Sequence, residues 1–195
     1  MSGLKEIRNR ISSVSSTMQI TNAMKMVSAA KLKKAQDSIS ATLPYSNKLS
    51  ELIKNISAST DSDDTNPLFE KREPKNLLII AITSNKGLCG GFNSNIIKEV
   101  NNIKTTSASK RVDLLTIGKK GDDILSKKFE VISSHNDVYD NFNYNNIKEI
   151  AETVMQKFSD KEYDEVTLVY NHFKNAATQI VTKEKYLPIE ESADE

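Results

Sequence analysis

The sequence predicts an α/β protein in two parts, a long N-terminal coiled-coil helix followed by a mostly parallel βαβ domain. Three observations carry that expectation. Forty residues, from Leu4 to Leu43, contain neither glycine nor proline, and their apolar residues recur in alternating steps of three and four, the 3.5-residue period of a coiled-coil seam. Further on, Leu77-Leu78-Ile79-Ile80-Ala81-Ile82 is an unbroken apolar run, as a parallel strand buried on both faces requires. After that run, strand and helix patterns alternate, as they do in a sheet built with helical crossovers.

The seam starts with Leu4, Ile7, Ile11, Val14 and Met18, passes to a second stripe at Ile20, Met24 and Val27, and resumes at Leu32, Ala35 and Ile39. Pro44 interrupts it, and Tyr45, Leu49, Leu52, Ile53 and Ile56 restore a helical period, which predicts a kink or a restart. Some 54 helical residues at ~1.5 Å each would make a rod of roughly 80 Å. Ser12, Ser13, Val14, Ser15, Ser16 and Thr17 are mediocre helix formers, and helices in proteins depend chiefly on packing an apolar face. A seam of this length therefore calls for a covering partner.

The stretch 59–74, containing Asp61, Asp63, Asp64, Pro67 and Pro74, reads as a polar linker. Beyond it, strands are expected at 77–82, 112–117, 129–132 and 166–170, with helices at about 93–104, 121–128 and 144–159. In the last of these helices Ile147, Ile150, Ala151, Val154 and Phe158 share a face. Alternation at Thr178, Ile180 and Thr182 predicts a final half-exposed edge strand before Pro188. Residues 75–190 are thus expected to form a Rossmann-like domain, with 191–195 as a tail.

Composition narrows the function classes. Hydrophobic residues make up 37% and charged residues 27% of 195, a balance typical of a packed protein and unlike a disordered one. No stretch approaches the ~18 consecutive apolar residues of a membrane span, and the N-terminus lacks the pattern of a secretory signal or a myristoylation motif. One cysteine, Cys89, makes no internal disulfide, which suits a reducing compartment. Charge is uneven: residues 1–57 hold nine basic and three acidic side chains, net +6, and the rest hold eighteen and twenty-three, net −5. A basic arm of this kind is expected to meet an acidic or anionic partner. Nucleic acid is not that partner, because no aromatic residue is interleaved with Lys31, Lys33 and Lys34 and the apolar seam is too regular.

The best candidate for chemistry is Ser84-Asn85-Lys86-Gly87-Leu88-Cys89-Gly90-Gly91-Phe92-Asn93, between the first strand and its helix, where phosphates often bind in parallel sheets. The spacing fails. A Walker loop places lysine after its glycines, and here Lys86 precedes them; GxGxxG and its downstream ribose-binding acid are missing too. A tight βα turn is the simpler reading. Cys89 lies near Lys86 and a helix start but lacks an adjacent base, since His135 and His172 are distant in sequence. His135 reads as a polar loop residue, and His172 as the end of a strand. The histidine spacing gives no metal site, and the acidic residues of the linker lack calcium-loop spacing. No catalytic residue, metal or cofactor is expected.

Three segments carry a family resemblance. Leu4-Lys5-Glu6-Ile7-Arg8-Asn9-Arg10-Ile11 with Gln19-Ile20-Thr21-Asn22-Ala23-Met24-Lys25-Met26-Val27-Ser28-Ala29-Ala30-Lys31 resembles the N-terminal helix of the gamma subunits of F-type ATP synthases. Thr83–Asn93 is similar to that family's signature T-S-D-[KR]-G-L-C-G-x-[FL]-N, with Asn85 replacing the usual aspartate. Tyr170-Asn171-His172-Phe173-Lys174-Asn175 is a third match, and the three follow the family order.

The resemblance implies a non-catalytic shaft, residues 1–58 forming half of its coiled coil, that turns inside a ring of alpha and beta subunits. It also implies an α/β domain close to an epsilon subunit and a membrane c-ring. The complex would sit peripherally on the cytoplasmic face of a bacterial inner membrane. Contacts within the ring are expected from Ile20, Met24, Lys25, Met26, Val27, Lys31 and Lys33, and the signature loop is carried by Ser84, Lys86, Gly87, Cys89 and Gly90. The family continues beyond Pro188 with a second long helix, whereas this sequence ends at Glu195; the resemblance therefore implies a truncated shaft. Two other classes remain open: a self-associating coiled-coil scaffold with an α/β adaptor domain, and an enzyme using Gly87–Gly91 and Cys89.

Overall fold

A computed structural model describes residues 2–59, 66–140, 142–175 and 178–189. Residues 60–65 of the expected linker and the expected tail 191–195 lie outside the described residues, as does the side chain of Ile56. The chain divides into two units, Met1–Ile56 and Ser57–Glu195.

The first unit lies within α1, Ser2–Ser59, one helix of 58 residues with Pro44 inside it. At ~1.5 Å per residue its length is about 87 Å. Of the kink or restart expected at Pro44, no restart is seen: one helix runs through the proline. Proline removes one backbone donor, and the regular turns on both sides carry the helix across. The seam residues Leu4, Ile7, Ile11, Val14 and Met18 are all exposed, as are Ile20, Met24 and Val27. Hydroxyls of Thr17, Thr21, Ser38 and Thr42 donate to the carbonyl four residues earlier, which satisfies these polar side chains locally within the helix.

The second unit contains β1 (Asn76–Ile82), α2 (Phe92–Thr106), β2 (Arg111–Ile117), α3 (Lys119–Leu125), β3 (Val131–His135), α4 (Tyr144–Ser159), β4 (Glu165–Phe173) and β5 (Gln179–Leu187). The sheet order is β3-β2-β1-β4-β5. β1 pairs in parallel with β2 and β4, β2 with β3 in parallel, and β5 closes one edge antiparallel to β4.

Alternation along β1 sorts its side chains between two cores. Leu77, Ile79 and Ala81 pack with Ile96, Val100 and Ile103 of α2 and Leu125 of α3. Leu78 and Ile80 pack with Ile150, Val154 and Phe158 of α4. The result is three layers with the sheet in the middle, the arrangement that an apolar strand without a polar face demands. Residues 66–74 of the expected linker join this unit. Pro67–Phe69 form a short 3₁₀ turn, Leu68 packs on the α4 side, and its carbonyl accepts the Ile189 amide at 2.9 Å. Arg72 donates to the carbonyls of Phe158 and Tyr163 and lies over the Phe158 ring.

One strand differs from expectation. The apolar stretch at 129–132 predicted β3, yet β3 begins at Val131 and runs to His135. Phe129 is instead buried below α3, with the Lys104 ammonium 4.3 Å from its ring centroid. His135 is accordingly the last residue of a strand and not a loop residue, and its Nε2 is 3.2 Å from the Ser133 hydroxyl. α3 is also earlier and shorter than the expected 121–128.

Candidate functional site

Two surfaces hold the residues singled out in the sequence. The first is the middle of α1. At ~100° per residue, Ile20, Met24, Val27 and Lys31 fall on one face, whereas Lys25, Met26 and Lys33 point elsewhere around the helix. Ile20, Ala23, Met24, Val27 and Ser28 together line a shallow apolar groove. All seven candidate residues are exposed. The structure thus brings three apolar residues and one lysine into a stripe, with Met26 and Lys33 together on a second side and Lys25 on a third, so a partner touching all seven has to surround the helix.

The second surface is the loop between β1 and α2. Its place follows from topology: β1 is flanked by β2, reached through α2, and by β4, reached later through α4, so the loop sits where the strand order reverses. That crevice at the carboxyl ends of parallel strands is the usual ligand-binding position of such sheets. Here, however, the loop is knitted to itself and to its neighbours. The Ser84 amide donates to Asn93 Oδ1 at 2.9 Å and the Ser84 hydroxyl to the Lys86 carbonyl at 2.6 Å. Asn93 Nδ2 donates to the Ser84 hydroxyl at 2.9 Å and lies 3.3 Å from Cys89 Sγ. Asn85 Nδ2 donates to the Asn136 carbonyl at 2.6 Å, while its Oδ1 accepts the Lys119 amide at 2.9 Å.

Beneath the loop, buried Thr83 accepts the Gly121 amide at 2.8 Å and donates to the Gly118 carbonyl at 3.0 Å. The Tyr139 hydroxyl donates to the Thr83 carbonyl at 2.8 Å, and burial raises that phenol above its ordinary value. Asp122 accepts from Ser134 at 2.7 Å, Thr116 at 3.1 Å and Asn136 at 3.2 Å. Burial pushes the Asp122 carboxyl up, but these three donors outweigh it and hold the group below its ordinary value.

At the tip the backbone turns left-handed at Leu88 and Gly90, φ 60° and 59°. Leu88 is fully exposed, and Lys86, Gly87, Cys89 and Gly90 are exposed with it. A leucine held at positive φ with its side chain in water is costly, so the surrounding hydrogen bonds hold a shape that the tip residue does not favour. The polar side chains of Ser84, Asn85 and Asn93 are engaged with one another and with neighbouring backbone. Cys89 has Asn93, Ser84 and the Lys86 carbonyl as neighbours, none of them a base. Among the described residues, no group of three His, Cys, Asp or Glu side chains is placed to hold a metal ion.

Sequence reasoning named the loop, with Thr83 and Asn93 at its ends, and missed the supports outside it: Gly118, Gly121, Asp122, Asn136 and Tyr139. A usable signal existed in the polar ends of the apolar strands, where Thr83 follows Ile82 and Ser133-Ser134-His135 follows Ile132.

The family model described as ATP synthase matches residues 3–195. The ATP synthase gamma chain of Flavobacterium psychrophilum is 56% identical over 189 residues, covering 97% of this chain and 66% of the relative. That of Cytophaga hutchinsonii is 43% identical over 199 residues, covering 99% of this chain and 68% of the relative. The chain spans about two thirds of the length of such relatives. Among solved structures, a chain of the central stalk and c-ring of the Tetrahymena thermophila mitochondrial ATP synthase superposes with a TM-score of 0.64 at 33% identity. The match covers 87% of this chain and 72% of that one. Among the described residues, no helix is long and apolar enough to cross a membrane.

Proposed function

Because the chain belongs to the ATP synthase gamma-chain family, we propose that it acts as the central-stalk rotor subunit of an F-type ATP synthase. It carries torque between a membrane c-ring and a catalytic ring of alpha and beta subunits. In this reading residues 1–58 are half of the shaft, 59–74 connect it, and 75–190 form the domain that meets the epsilon subunit and c-ring. The subunit itself catalyses nothing, and ATP forms in the ring around it. It is held peripherally, through the complex, on the cytoplasmic face of a bacterial inner membrane.

The observation that carries the reading is the apolar stripe of α1, exposed along its length in a basic helix. Such a stripe is stable in water only when covered. Ile20, Met24, Val27 and Lys31 supply one contact face within the ring, and Lys25, Met26 and Lys33 supply the flanks that a surrounding sleeve reaches. Ser84, Lys86, Gly87, Cys89 and Gly90 belong to a loop exposed from Lys86 to Gly90, a contact surface and not an active site.

The test is assembly with alpha and beta subunits followed by single-molecule rotation. Reversing the charge of Lys31 and Lys33 is expected to lower torque and coupling; unchanged torque would remove these two residues from the contact set. The exposed stripe equally suits a self-associating scaffold. Sedimentation decides: a concentration-dependent homo-oligomer with no affinity for alpha and beta subunits would favour the scaffold.

A further inference from the structure

We infer that Asn85 is the positioning residue of the 84–91 loop, and that it fills this role through both ends of its carboxamide. The two partners fix the orientation of the amide. A backbone N–H, that of Lys119, faces one end at 2.9 Å, and a backbone carbonyl, that of Asn136, faces the other at 2.6 Å. A carboxamide accepts from the first and donates to the second, whereas an ionised carboxylate, being acceptor-only, meets the first alone. The side chain thereby joins three segments that are far apart in sequence: the loop after β1, the first residue of α3, and the loop after β3.

The clasp is placed where it governs the tip. Asn85 stands three residues before Leu88, whose φ is 60°. The start of α3 is tied to the same loop by the Lys120 amide, which donates to the Ser84 carbonyl at 3.1 Å. On its far side the clasp continues through Asn136, whose Nδ2 donates to Asp122 at 3.2 Å. The other half of the loop is held separately by Asn93. Two asparagines thus anchor the two sides of an exposed turn that no apolar packing holds, and Asn85 is the one that reaches outside the loop.

Aspartate is nearly isosteric with asparagine and matches the signature the loop resembles, yet it is not equivalent here. Its carboxylate still accepts the Lys119 amide but turns an oxygen toward the Asn136 carbonyl oxygen, replacing an attraction with a repulsion. Asn85→Asp therefore cuts one arm of the clasp, and Asn85→Ala cuts both. This inference concerns the shape of the loop and is tested without reference to torque; its consequence for coupling rests on the rotor reading above.

The experiment uses the full chain with uniform ¹⁵N labelling, wild type against Asn85→Asp and Asn85→Ala. Backbone order parameters of Gly87–Gly91 are expected near the rigid value of about 0.85 in the wild type and below about 0.6 in both variants. Amide exchange at Lys119 supplies the signature that a general packing role would not give: unchanged within about twofold in Asn85→Asp, and faster by roughly tenfold in Asn85→Ala. Rigid loop residues in Asn85→Asp would overturn the inference. So would a loss of order spread equally over β1 and β2, which would make Asn85 a contributor to global stability only.

Discussion

Thr83 and Gly121 meet with no room for a methyl group between them. The Gly121 amide donates to Thr83 Oγ1 at 2.8 Å, and a Cβ built on Gly121 would lie 2.7 Å from that oxygen and 2.8 Å from Thr83 Cγ2. Thr83 is 0% exposed, so its side chain has nowhere to withdraw. Gly118 is tighter still, because its Cβ would run into the Thr83 carbonyl and its φ is +100°.

Gly121→Ala is accordingly expected to destabilise the sheet unit by about 1–3 kcal/mol through overpacking, even though alanine is the better helix former. Gly118→Ala adds backbone strain and is expected to cost more, about 3 kcal/mol or above. Urea denaturation of the two variants checks the order; equal stability to wild type at Gly118 would contradict the geometry.

A second prediction concerns the opposite end of the sheet. Tyr163, 1% exposed, donates its hydroxyl to Asp113 Oδ2 at 2.7 Å, and Asp113 also pairs with Arg111. Burial, and then the bond to Asp113, keep the phenol above its ordinary value, hence protonated as a donor. Tyr163→Phe leaves a buried carboxylate one donor short and is expected to cost about 1–3 kcal/mol. A melting temperature within 1 °C of wild type, about the resolution of the measurement, would argue against this pairing.

Asp122 gives a pH prediction with a definite sign. Its folded value lies below the ordinary one, so its contribution is present above the unfolded value of about 3.9 and fades as pH falls from there through the folded value. Asp122→Asn is expected to be less stable near neutral pH by about 1 kcal/mol, the partly exposed setting limiting the effect. The gap to wild type should close on acidification below about pH 4. Urea midpoints measured across that range test it, and a gap independent of pH would assign the effect to something other than the charge.

The fourth prediction separates the two units. Every buried apolar residue among those described falls between Leu77 and Leu187, so the sheet unit has its own core. A chain beginning at Ser57 is expected to unfold cooperatively with a midpoint within about 2 °C of the full chain, a shift that corresponds to well under 1 kcal/mol. Calorimetry reads this directly; loss of the cooperative transition would show that α1 is required for the sheet to fold.

Much of this fold is legible in the residues because burial was strong and regular. The run 77–82 has no polar face and becomes a strand buried on both sides, and the apolar spacing of 144–159 gives α4 at those bounds. β3 was harder to read for a physical reason. It is an edge strand whose Ser133, Ser134 and His135 carry polar side chains, one of which serves Asp122. Apolar Phe129 next to it is used to close the space below α3, so hydrophobicity alone moved the strand toward the wrong residues.

The sequence by itself determined which stretches are apolar and with what period, and therefore a long helix with an exposed seam followed by a parallel sheet between helices. It also determined that Lys86, Cys89 and the glycines fail the spacing of a nucleotide loop. Tertiary structure decided the rest: that Asn85 meets Lys119 and Asn136, that Thr83 meets Gly118 and Gly121, and that Asp122 gathers donors from β2, β3 and the loop beyond. Periodicity is a local property of a segment, whereas the contacts of Asn85 join residues 34 and 51 positions apart, and only strand order brings such residues to the same sheet edge.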